Sequence, residues 1–91
     1  MNVYKYPLEL TGNVQAVEMP EGAQILHVAD QGGPTIWALV DPKAPTTKRY
    51  FGVFGTGHDC PEDGYVGTTH AGGFVWHIFE APAEPALERR E

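Results

Sequence analysis

Residues 49 to 80 read RYFGVFGTGHDCPEDGYVGTTHAGGFVWHIFE, and this stretch decides the fold. Three runs rich in aromatic and β-branched residues, KRYFGVFG, GYVGTT and GFVWHIF, are set apart by segments dense in glycine, proline and aspartate. That is the pattern of short strands punctuated by turns. A helix would need an apolar repeat of 3.6 residues held over about a dozen positions, and no window of the chain keeps one. In GFVWHIF, Phe74, Trp76 and Ile78 fall on one face and Val75, His77 and Phe79 on the other, because side chains alternate along a strand. Both faces are apolar. Such a strand is covered on both sides, or it offers one face to another chain.

The flanking sequence repeats the pattern. VYKYPLEL at 3–10 alternates, with Tyr4, Tyr6, Leu8 and Leu10 on one side, and Pro7 places it at a sheet edge. VQAVEMP at 14–20 and AQILHVADQ at 23–31 are further strands, the second closed by Gly32-Gly33-Pro34. TIWALVD at 35–41 is apolar on both faces and is expected in the middle of a sheet. PKAPTT at 42–47 is expected as an extended loop, since its two prolines oppose both helix and ladder, and HAGG as a flexible connection. Six to seven short strands predict an all-β domain over residues 1–80, a small antiparallel β-sandwich or open barrel. Residues 81–91 are expected as a polar C-terminal tail with at best a short helical turn from Ala86 to Arg90.

Length and charge narrow the partners. With 91 residues the chain makes one domain with one core. The formal net charge is −6, and the six basic residues form no stripe. Nucleic acid is therefore not expected as a partner, because affinity for phosphate backbones comes mainly from cationic groups. Cys60 is the single cysteine, so no internal disulfide forms. The start MNVYKYPLEL has no basic region followed by a continuous apolar run, and no stretch reaches the 18 or more apolar residues of a membrane span. A soluble cytoplasmic protein without a membrane partner is expected.

Candidate chemistry is sparse. Serine is absent, which removes every serine triad. Cys60 and His58 are two apart on a turn, a spacing that rarely brings sulfur and imidazole to a common substrate, and no third group orients them. No C-x-x-C, H-x-H or H-E-x-x-H spacing marks a metal site, so neither a metal nor a cofactor is expected. Gly55-Thr56-Gly57-His58 ends a strand, and its first reading is a turn in which glycines supply positive φ. A second reading makes it the rim of a site for a small anionic ligand. Lys48 or Arg49 would be the counter-charge there, with Thr56, His58, Thr68, Thr69 and His70 as hydrogen-bonding groups. His27 and His77 lie in apolar strands, where a histidine bonded to backbone is the plain reading. The aromatic residues exceed what one small core buries on one side. Trp37, Trp76, His77 and Phe79 are accordingly candidates for an interface, and a homo-oligomer is expected.

The set KYPLEL, MPEGAQIL, IWALVDP, GTGH, YVGT and VWHIFE, spread over residues 4 to 80, resembles a family of short uncharacterised bacteriophage and prophage proteins. The resemblance implies an accessory protein made in the cytoplasm of an infected bacterial host, and it supplies neither a ligand nor a catalytic residue. The function expected from these readings is non-enzymatic: binding that inhibits or sequesters a host or defence component, either a protein or a small anionic ligand. The alternatives are a minor virion or assembly component and a small enzyme using His58.

Overall fold

The computed structural model of the chain describes residues 1–82, and every regular element among them is a strand. In chain order these are β1 (Asn2–Pro7), β2 (Gln15–Pro20), β3 (Gln24–Asp30), β4 (Pro34–Val40), β5 (Thr46–Gly55), β6 (Tyr65–Ala71) and β7 (Phe74–Ala81). All neighbours pair antiparallel, in a three-stranded sheet of order β1-β4-β3 and a four-stranded sheet of order β2-β5-β7-β6. The result is a small β-sandwich that does not close into a barrel. The expected strands are all present, with β4 central in its sheet and β1 at an edge.

Several boundaries differ from the sequence reading by two residues or more. β1 ends at Pro7, so Leu8, Glu9 and Leu10 of the expected strand lie beyond it. Thr46 and Thr47 belong to β5, opposite Pro20 and Met19. Pro42 and Pro45 both precede the ladder, so neither removes a donor from it. His70 and Ala71 likewise stay in β6, opposite Val75 and Phe74, and only Gly72 and Gly73 turn. Their φ values of 62° and 84° belong to a type I′ hairpin, whose twist matches that of the flanking strands. The tail from residue 83 on, with the helical turn expected near Ala86, lies outside the described residues.

The core fills the space between the sheets. Ile36, Ala38 and Val40 of β4 meet Met19 of β2, Phe51 and Val53 of β5 and Ile78 of β7, with Leu8 and Ala23 closing the ends. Alternation explains the set: Phe51 and Val53 are two apart, as are Ile36, Ala38 and Val40. The sheets come closest where β3 passes β6, and a Cβ placed on Gly67 would lie 2.8 Å from Val28 Cγ2.

A polar clasp joins strands at one end of this interior. Arg49 of β5 donates from Nε to Glu80 Oε2 at 2.7 Å and from Nη2 to Glu80 Oε1 at 2.9 Å. Its Nη1 donates to the carbonyl of Ala23, in the connection from β2 to β3. Hydrogen bonding to the Glu80 carboxylate holds the Arg49 guanidinium above its ordinary pKa, against the lowering effect of burial. This forked pair fixes Arg49 as a tie between β5, β7 and the connection that leads into the other sheet.

Candidate functional site

The second sheet turns one face to the core and leaves the other open. Register assigns the open face: Gly52 stands opposite Phe79 and Phe54 opposite His77 between β5 and β7. Between β7 and β6, Phe79 stands opposite Tyr65, His77 opposite Thr68 and Val75 opposite His70. Tyr65 reaches this face through a bulge. The register shifts between Tyr65 and Gly67, and that extra residue returns Tyr65 to the side that simple alternation would deny it.

A chain of four hydrogen-bonding side chains crosses the face. Tyr65 OH lies 2.6 Å from Thr68 Oγ1, which lies 3.0 Å from His77 Nδ1. The other ring nitrogen of His77, Nε2, lies 2.8 Å from Thr56 Oγ1. Thr56 owes its position to the turn that ends β5. The His58 N–H donates to the Gly55 carbonyl at 3.1 Å, and Gly57 takes φ 92° at the third position, as a type II turn requires. GTGH is thus a strand-ending turn, and the same turn sets a hydroxyl beside the His77 ring.

Three aromatic rings share the face with this relay. The Phe79 ring centroid lies 5.7 Å from that of Phe54 and 5.5 Å from that of Tyr65, both edge-to-face. Phe54 lies flat over a glycine: a Cβ on Gly52 would be 2.7 Å from the Phe54 ring. Beside the rings lies a cavity of about 270 Å³, open to solvent and lined by Phe54, Thr56, Cys60, Tyr65, His77 and Phe79 with the turn residues Gly55, Gly57 and His58. A larger cavity of about 620 Å³ opens beside Ile25, Gly64 and Glu80 and reaches Pro82, where the described residues end. Glu80, a charged group of that lining, is already held by Arg49.

The residues expected to bind a ligand divide. Thr56, His58 and Thr68 gather at the cavity or its relay, and His70 sits on the same open face beyond Thr68. Thr69 points inward and is buried, with its hydroxyl 3.4 Å from the His70 carbonyl. Arg49 is inside the sandwich in the clasp with Glu80. Of the residues expected at an interface, His77 and Phe79 belong to this open face. Trp76 packs against the core and donates from Nε1 to the Ala71 carbonyl at 3.0 Å. Trp37 lies on the outer face of the first sheet, its ring 5.8 Å from that of His27. His77 meets two threonine hydroxyls, where the plain sequence reading gave it a backbone partner. Phe54, Cys60 and Tyr65 were not anticipated at the site.

Among the described residues no three His, Cys, Asp or Glu side chains gather to hold a metal ion, and no helix is long and apolar enough to cross a membrane. Fold and face together define a small open β-sandwich with an aromatic, hydroxyl-lined cavity on the open face of its second sheet. The chain belongs to the family described as a domain of unknown function, DUF7352, which matches residues 1–88. No curated protein and no solved structure matches it.

Proposed function

We propose that the chain is a non-enzymatic binding protein of phage or prophage origin, and that the open face of the second sheet holds what it binds. Made in the cytoplasm of the host, it sequesters or blocks a host or defence component, and it works as a homo-oligomer. The observation that carries this reading is the meeting of the Tyr65–Thr68–His77–Thr56 relay with three aromatic rings around one cavity. Apolar walls with a few placed polar groups are what recognition sites for small molecules and for protein anchors share.

Among the described residues no carboxylate bonds to the His77 ring, whose two nitrogens meet only threonine hydroxyls, so no charged partner is there to stabilise an imidazolium. The net charge of −6 opposes a nucleic-acid strand as the partner. Native mass spectrometry of the chain, purified gently from infected cells, tests the proposal. The expected spectrum shows a discrete oligomer carrying a retained molecule or host protein, and that adduct is lost in Phe79→Ala. A bare chain, or an adduct that Phe79→Ala retains, contradicts it.

A further inference from the structure

The relay on the open face has a polarity that restricts its ligand. Each of its four members can both donate and accept a hydrogen bond. When the His77 ring is neutral, one nitrogen carries a proton and the other a lone pair, so the hydrogen bonds run head to tail. If Nε2–H donates to Thr56, then Thr68 donates to Nδ1 and Tyr65 donates to Thr68. The Thr56 hydroxyl is then free to donate, and Tyr65 can only accept. In the other tautomer Thr56 donates to Nε2 and can only accept, and when Thr68 passes its own proton to Tyr65 the phenol is left to donate. In both of these arrangements the two ends offer one donor and one acceptor.

We infer that the cavity takes an uncharged planar ring whose edge carries one donor and one acceptor, a heteroaromatic of nucleobase type. This rests on the binding role proposed above and gives that site its ligand class. Three further observations agree. Thr56 and Tyr65, the two ends of the relay, both line the cavity. Beside the His58 imidazole and the Cys60 thiol its walls are aromatic, with Phe54, Phe79 and the Tyr65 ring offering π faces and edges to a flat ligand. No lysine or arginine among the described residues lines it. Arg49 is committed to Glu80 and Ala23, and Lys48 stands opposite Glu18 toward the far end of β5. An anion would find two ends of which only one donates, and no fixed positive charge. At about 270 Å³ the cavity has space for one ring system.

The test is calorimetric titration of the full chain with adenosine, uridine, adenosine monophosphate and inorganic phosphate as probes. It is run at about pH 8, above the ordinary histidine range. Adenosine or uridine should bind with an affinity that changes less than about twofold between low and physiological salt, because no ion pair forms. The monophosphate should bind no more than about threefold tighter than adenosine, since nothing in the cavity meets its charge. Phe79→Ala should weaken the nucleoside about tenfold. Thr56→Ala, on an exposed turn, should weaken it roughly fivefold and keeps the test readable if the first variant unfolds.

Phosphate binding alone, a monophosphate more than about tenfold tighter, or nucleoside binding that ignores both variants overturns the inference. If both nucleosides are refused by a chain that carries an adduct from infected cells, the ring assignment fails and the binding role stands. If they are refused by a chain that also carries no adduct, both fail.

Discussion

At Gly52 a β-carbon would lie 2.7 Å from the Phe54 ring, so the absence of a side chain there is what lets that ring lie down beside Phe79. Gly52→Ala should push Phe54 outward into the cavity. Phe54 lies on the open face and can swing, so the thermal midpoint should fall by less than about 5 °C while nucleoside binding is lost. Melting curves and titrations of the same variant check both halves. Thr68 faces His77 because only Gly72 and Gly73 turn: Ala71 then stands opposite Phe74, and counting back by pairs brings Thr68 to His77. The sequence reading, which gives all of HAGG to a flexible connection, does not reach that register. Tyr65 was not legible, because the bulge after it reverses the face that counting assigns. Thr56 was picked out as a hydroxyl of the turn, yet nothing local said that it would meet His77 from a strand 21 residues away.

Among the elements, the strands β6 and β7 declare themselves in sequence, whereas the pairing of β5 with β7 does not. These strands are separated by β6, and their register depends on both sheets being assembled. The same non-local pairing hid the fate of Arg49. On its own it reads as a free cation near GTGH, but pairing brings Glu80 onto its fork. The clasp is largely out of solvent, with side-chain exposures of 22% for Arg49 and 28% for Glu80. Losing the charge of one partner strands the other. Glu80→Gln should therefore cost about 2 kcal/mol. In a chain of this size that is a fall of roughly 10 °C in the thermal midpoint, measurable by circular dichroism. Nucleoside binding to the remaining folded protein should be unchanged, because the clasp lies on the inner side of the sheet.

For the molecule as a whole, the all-β class followed from punctuation and alternation. Phe51 is fully buried among residues from both sheets. Phe51→Ala should cost about 3–5 kcal/mol, a large part of the 5–15 kcal/mol usual for a domain, and leave a partly unfolded population at room temperature. Urea titration reads this directly. Alkaline pH acts on the same whole. Burial, and secondarily the neighbouring Tyr4, raise the Tyr6 phenol above its ordinary pKa. The folded chain then binds that proton more tightly than the unfolded one. This contribution is complete below about pH 10 and is lost as pH rises through the higher folded value. Tyr6→Phe should flatten that alkaline loss.

The central claim is that the open face of the second sheet is the binding surface. Its most direct test is the nuclear magnetic resonance spectrum of the isotope-labelled chain in extract from host cells. The expected shifts are confined to Phe54, Thr56, Cys60, Tyr65, Thr68, His77 and Phe79. An unchanged spectrum, or shifts centred on Trp37 and His27 across the first sheet, would contradict it.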